Sequence, residues 1–108
     1  MKRPPDLAEY VIHLPLCYND GSPVEEDKIE TILAEIRNFN KAYTRSKFNE
    51  GLWVSRNKEY KDLIDEISVI TFDTEENDIW FQNFKTILKK ALNQEEIFVK
   101  KISGLKIL

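Results

Sequence analysis

Between Ala8 and Cys17 the apolar residues Tyr10, Ile12, Leu14 and Leu16 alternate with Val11, His13, Pro15 and Cys17. A period of two predicts a strand with one buried face. Pro15 donates no backbone N–H, so pairing there is expected to meet an edge, a bulge or its end. Tyr18-Asn19-Asp20-Gly21 reads as a turn in which Gly21 is free to take positive φ. Ser22-Pro23-Val24-Glu25 then reads as a helix start, with Ser22 as N-cap, Pro23 at the first helical position and Glu25 completing a capping box. Ile29, Ile32, Leu33, Ile36 and Phe39 recur at helical spacing, with Glu26, Asp27, Glu30, Glu35 and Arg37 left to water, so this helix is expected to reach about Asn38.

From Lys41 to Phe72 the pattern returns to β. Tyr43, Thr44, Phe48, Trp53 and Val54 suit one strand, Arg56-Asn57-Lys58-Glu59 a polar turn, and Ile64, Ile67, Val69, Ile70 and Phe72 a strand paired back on the first. Gly51 is the expected bulge of this hairpin. A second helix opens near Asp73 or Thr74, with Glu75 and Glu76 placed against the positive end of its dipole. Its expected apolar stripe is Trp80, Phe84, Ile87, Leu88 and Ala91, widened by Ile79, Phe81 and Leu92. A last strand covers Glu95 to Lys101, and Ser103-Gly104 is expected to turn into a short apolar end.

The element order is β-α-β-β-α-β, which predicts an α+β ferredoxin-like sandwich: a four-stranded antiparallel sheet with two helices on one face. The other face is then left to a binding surface or a second copy of the chain. The 108 residues give one domain, with residues 1–7 expected as a flexible N-terminal tail. A net charge of −3 offers no electrostatic footprint for nucleic acid. The single cysteine excludes an internal disulfide framework, and neither a signal-peptide h-region nor a membrane-length apolar run is present, so a cytoplasmic protein with no membrane partner is expected.

Leu14-Pro15-Leu16, Asn19-Asp20-Gly21, Gly51-Leu52-Trp53, Tyr60 with Asp62, Phe81 with Phe84 and Lys85, and Gln94-Glu95-Glu96-Ile97 form a spaced set. This set resembles the signature of a family of small, uncharacterised bacterial proteins, over roughly residues 10 to 100. The resemblance implies the same α+β architecture and leaves the chemistry open. The chain departs from the pattern after the first helix, where Asn40-Lys41 stands in place of a glycine pair that such relatives often carry.

Several residues invite chemistry. His13 and Cys17 are the only ones of their kinds, but four residues of extended chain separate them by roughly 13 Å, too far for a nucleophile and its base. One Cys and one His cannot make a tetrahedral zinc site, and no metal or cofactor is expected. His13 alone is either a general base or a plain surface histidine. Asp62, Asp65 and Glu66 cluster at a strand start; Asp62 and Glu66 would share a face as a catalytic pair does, although such clusters usually serve as a solvated, aggregation-resistant edge. Trp53, near Arg45, Arg56, Tyr60 and Asp62, could form an aromatic platform for a planar or anionic ligand, or could pack in the core or in a dimer contact. The RNA-recognition reading of this element order fails, because Glu66-Ile67-Ser68-Val69-Ile70-Thr71-Phe72 has neither the glycine nor the basic start of such strands. No glycine-rich phosphate loop is present. Two functions of different class follow: a non-catalytic interaction or ligand-binding module that homodimerises through its open sheet face or an edge strand, or a small enzyme with a site around Trp53, Tyr60, Asp62 and His13.

Overall fold

The computed structural model describes residues 5–47 and 63–108. In chain order these form β1 (Leu7–Pro15), α1 (Glu26–Phe39), β2 (Thr44–Lys47), β3 (Ile64–Phe72), α2 (Glu75–Ala91) and β4 (Val99–Leu105). The fold is α+β, with one open four-stranded sheet of order β2-β3-β1-β4 in which every neighbouring pair is antiparallel. β3 therefore lies between β2 and β1, and β2 and β4 form the two rims.

Alternation along the strands decides what each face carries. Ala8, Tyr10, Ile12 and Leu14 of β1, with Ile67 and Val69 of β3, join Ile29, Ile32, Leu33 and Ile36 of α1 and Phe81, Phe84 and Leu88 of α2 in one core. Both helices thus cover the same side of the sheet. The helix–helix contact is aromatic: Phe39 stacks on Trp80 with centroids 4.0 Å apart and meets Phe81 edge-on at 5.3 Å, while Phe81 stacks on Tyr10 of β1 at 4.2 Å.

Four expectations are corrected. The first helix does not open at Ser22-Pro23; it starts at Glu26, and its N-cap residue Glu25 makes no side-chain cap. Pro23 instead bridges Cys17, Val24 N–H donates to Leu16 at 2.9 Å, and Val24 is buried, so the segment is spent as an extended return beside the end of β1. Ser22 turns its N–H and hydroxyl to the Asp20 carboxylate at 2.9 and 2.6 Å. The apolar stripe of α2 is centred on Phe81, Phe84 and Leu88, whereas Ile87 is 59% exposed, because the stacks on Tyr10 and Phe39 fix the helix rotation. Ser103-Gly104 is no turn: β4 runs on to Leu105, and Gly104, at φ +73°, is the extra residue of a bulge that restores pairing of Leu105 with Leu7. Finally, β1 begins at Leu7, inside the expected tail, and Asp6 accepts a 2.7 Å hydrogen bond from Asp73.

Other local signals hold. β1 ends at Pro15, with one further backbone bond from Leu16 N–H to Leu63 at 2.8 Å, Gly21 takes φ +89°, and the Thr74 hydroxyl caps α2 by accepting from Asn77 N–H at 3.1 Å. At the far end of α2, Asn93 is left-handed and the 93→90 and 94→89 backbone bonds close a Schellman motif. The expected bulge at Gly51 and turn at 56–59 lie outside the described residues.

Candidate functional site: the bare face of the sheet

The side of the sheet away from the helices is built by the remaining strand residues. β1 contributes Leu7, Glu9, Val11 and His13; their cross-strand partners on β3 are Phe72, Ile70, Ser68 and Glu66. On β4, Lys100 faces Val11, Ile102 faces Glu9, and Phe98 accepts the His13 N–H just before the strand. Ile70 and Phe72 of β3, and Phe98 and Ile102 on the β4 side, are each 43–52% exposed, with β1 running between the two pairs and Glu9 set between Ile70 and Ile102. Exposed apolar residues grouped on one face mark contact sites on folded domains.

The polar groups of this face are tied to one another. Ser68 donates to Glu9 at 2.5 Å, and His13 Nε2 lies 3.3 Å from Glu66 Oε2 with its ring 4.7 Å from that of Phe98. Val11 is buried between its cross-strand neighbours Ser68 and Lys100, the one fully covered apolar side chain of this side among the described residues. Glu9 and Glu66 against Lys100 give the face both signs of charge.

The rims carry guards against strand addition among the described residues. β2 carries Arg45 and Lys47, and β4 carries Lys100, Lys101 and the Gly104 bulge. Lysines and bulges are devices that keep a sheet edge from pairing with another chain.

Of the residues expected to form a site, His13 is on the bare face and Arg45 is not. Arg45 pairs in register with Ile67 on the helix side, where its Nε donates to Asp65 Oδ2 at 2.5 Å. Asp65 and Glu66, neighbours in sequence, are thereby sent to opposite sides, Asp65 to a nearly buried ion pair and Glu66 to His13. Trp53, Arg56, Tyr60 and Asp62 lie outside the described residues. Cys17 sits past the end of β1, in the bridge to Pro23. Among the described residues no three His, Cys, Asp or Glu side chains gather as a metal-binding set, and no helix is long and apolar enough to cross a membrane.

Sequence reasoning missed a polar network at the β4 rim of the helix side. Tyr10 Oη donates to Asp78 Oδ1 at 2.6 Å, and Lys101 reaches Asp73 at 2.7 Å and Asp78 at 2.8 Å. Burial, reinforced by the Asp78 carboxylate, pushes the Tyr10 hydroxyl up to about 12. Hydrogen bonding to Lys101 holds Asp73 and Asp78 below the usual carboxylate range, and the same contacts push the Lys101 ammonium up. The available signal was parity: Lys101 stands opposite Tyr10 in the β1–β4 register.

No protein-family model, curated protein or solved structure matches the chain.

Proposed function

We propose that the protein is a non-catalytic interaction module of ferredoxin-like type that homodimerises through the bare face of its sheet. The observation that carries this reading is the exposed apolar surface of Ile70, Phe72, Phe98 and Ile102 on a side that neither helix covers. Two further features favour a second copy as the occupant. Lys100 on one side of Val11, with Glu9 and Glu66 nearby, makes the face complementary to itself under a two-fold rotation, as an isologous contact requires. The guarded rims turn association away from the edges and towards the face.

The enzyme reading draws on Trp53, Tyr60, Asp62 and His13, of which only His13 is described; its contacts include the part-exposed Glu66 carboxylate and the Phe98 ring. Sedimentation equilibrium over a concentration series tests the module directly. We expect a monomer–dimer equilibrium for the parent and a shift to monomer for Phe72→Asp, whose charge would be desolvated in the contact. A parent that sediments as a strict monomer at the highest concentration contradicts the dimer.

A further inference from the structure

We propose that in the dimer inferred above, on which this step rests, Lys100 of each copy pairs with Glu9 of the other, so that the bare face selects its own copy by charge. Two cross-strand pairs meet on this face: Val11 stands opposite Lys100, and Glu9 opposite Ile102. The four positions form a rectangle of roughly 5 by 7 Å, one strand spacing by two residues along the strand. One diagonal is apolar, Val11 to Ile102; the other is charged, Glu9 to Lys100. A two-fold axis laid along the apolar diagonal sets Val11 and Ile102 against the same residues of the other copy and exchanges the ends of the charged diagonal. Lys100 then meets the partner's Glu9, twice in each dimer.

Neither end of the charged diagonal is used up within the chain. Lys100 is exposed and, among the described residues, joins no ion pair. Lys101, the next residue, is by contrast fixed by Asp73 and Asp78 on the helix side. Diagonal neighbours in a sheet lie within reach of long side chains, yet Lys100 and Glu9 do not pair within one copy, because Glu9 binds Ser68 on β3, across β1 from β4. Glu9 takes the Ser68 hydroxyl at Oε2, and a carboxylate accepts several donors, so Oε1 can still receive an ammonium.

The same charges exclude the obvious competing arrangement. A two-fold axis along β1 would lay Glu9 over the partner's Glu9, a like-charge contact, and leave Lys100 facing Ser68 of the partner subunit. Interfacial charges act in this way more on orientation and choice of partner than on raw affinity.

Sedimentation velocity of charge-reversed full-length chains tests the pairing. Lys100→Glu and Glu9→Lys should each weaken self-association about a hundredfold, tenfold for each of the two like-charge contacts created. An equimolar mixture of these two variants should regain the dimer, because every contact in the mixed dimer again joins a lysine to a glutamate. The double variant should dimerise with itself for the same reason. Lys100→Gln, which removes the charge without reversing it, should weaken association about tenfold and serves where reversal disturbs the fold. Lys90→Glu, at an exposed position on the outer side of α2, makes the same change in net charge and should leave association unaltered. The pairing alone is overturned when the parent dimerises and Lys100→Glu or Glu9→Lys dimerises as tightly, when Lys90→Glu weakens association as much as Lys100→Glu, or when the mixture and the double variant both stay monomeric. A monomeric parent overturns the dimer and the pairing together.

Discussion

The two sides of the sheet are made by alternate residues of the same strands, and they differ in how completely their side chains are partnered. On the helix side, Tyr10, Ile12, Leu14, Ile67 and Val69 are at most 2% exposed, and the polar groups among them are held by charged partners, Asp65 by the Arg45 guanidinium and the Tyr10 hydroxyl by the Asp78 carboxylate. On the bare side, Ile70, Phe72 and Ile102 remain open, and Ser68 and His13 bond to near neighbours on the next strand, Ser68 to Glu9 and His13 to Glu66. Among the described residues no buried side-chain polar atom lacks a partner. A sheet whose covered side is fully satisfied does not need its exposed apolar residues for its own stability. Their exposure is the ground for the contact proposed above.

The difference should appear first in truncations. Ile67→Ala and Leu88→Ala empty fully buried sites and should each cost about 2–5 kcal/mol by urea unfolding at a fixed low protein concentration. Ile102→Ala on the bare side should cost below about 1 kcal/mol under the same conditions. Comparable losses from both sides would erase the contrast.

Removing one partner of the Asp65–Arg45 pair is the next largest effect. Asp65→Asn leaves a guanidinium beside a neutral amide at the edge of the core, and because Arg45 is 39% exposed the loss should be about 1–2 kcal/mol, well short of that for a fully buried pair. Glu66→Gln, the neighbouring substitution on the bare side, should change stability by less than about 0.5 kcal/mol. Parallel denaturation curves of the two variants decide the ordering.

The smallest effect is carried by pH. Tyr10, with an ordinary value of 10.0, is pushed up to about 12 in the folded chain, and Lys101 is also pushed up. Raised groups hold more protons folded than unfolded above pH 10, so the stability they contribute is complete below that pH and falls as it rises towards 12. Asp73 and Asp78 act in the opposite sense: their contribution is present above the ordinary value of 3.8 and is lost as pH falls below it. Tyr10→Phe should cost about 1 kcal/mol at neutral pH and flatten the alkaline limb of a melting-temperature profile. An unchanged alkaline limb would remove Tyr10 from this account.

How much of this could be read from the chain depends on the range of the forces involved. The stripe Ile29, Ile32, Leu33 and Ile36 was legible, because one amphipathic period matched one buried face. The rotation of α2 was not. Apolar residues at Ile79, Trp80, Phe81, Phe84 and Ile87 surround much of that helix, and only the stacks on Tyr10 and Phe39 select which of them go inside. At Ser22-Pro23 a sound capping signal lost to the burial of Val24 and the bridge from Pro23 to Cys17. The existence of a helix-free face followed from the element order, and strand parity correctly set His13 on it. Arg45 went to the other side, because a register between distant strands decides that, and the sequence does not display it. The Tyr10–Asp78 and Lys101–Asp78 contacts span 68 and 23 residues, beyond any local pattern.

The central claim, that self-association uses the bare face, is tested most directly by methyl NMR with a soluble paramagnetic cosolute across a protein concentration series. Ile79 and Ile87 on the outer side of α2 are exposed to a degree similar to Ile70 and Ile102 and serve as internal controls. The account predicts that the methyls of Ile70 and Ile102 lose their paramagnetic relaxation as concentration rises, while those of Ile79 and Ile87 keep theirs. Equal relaxation of all four at every concentration, or protection that appears first on α2, would contradict it.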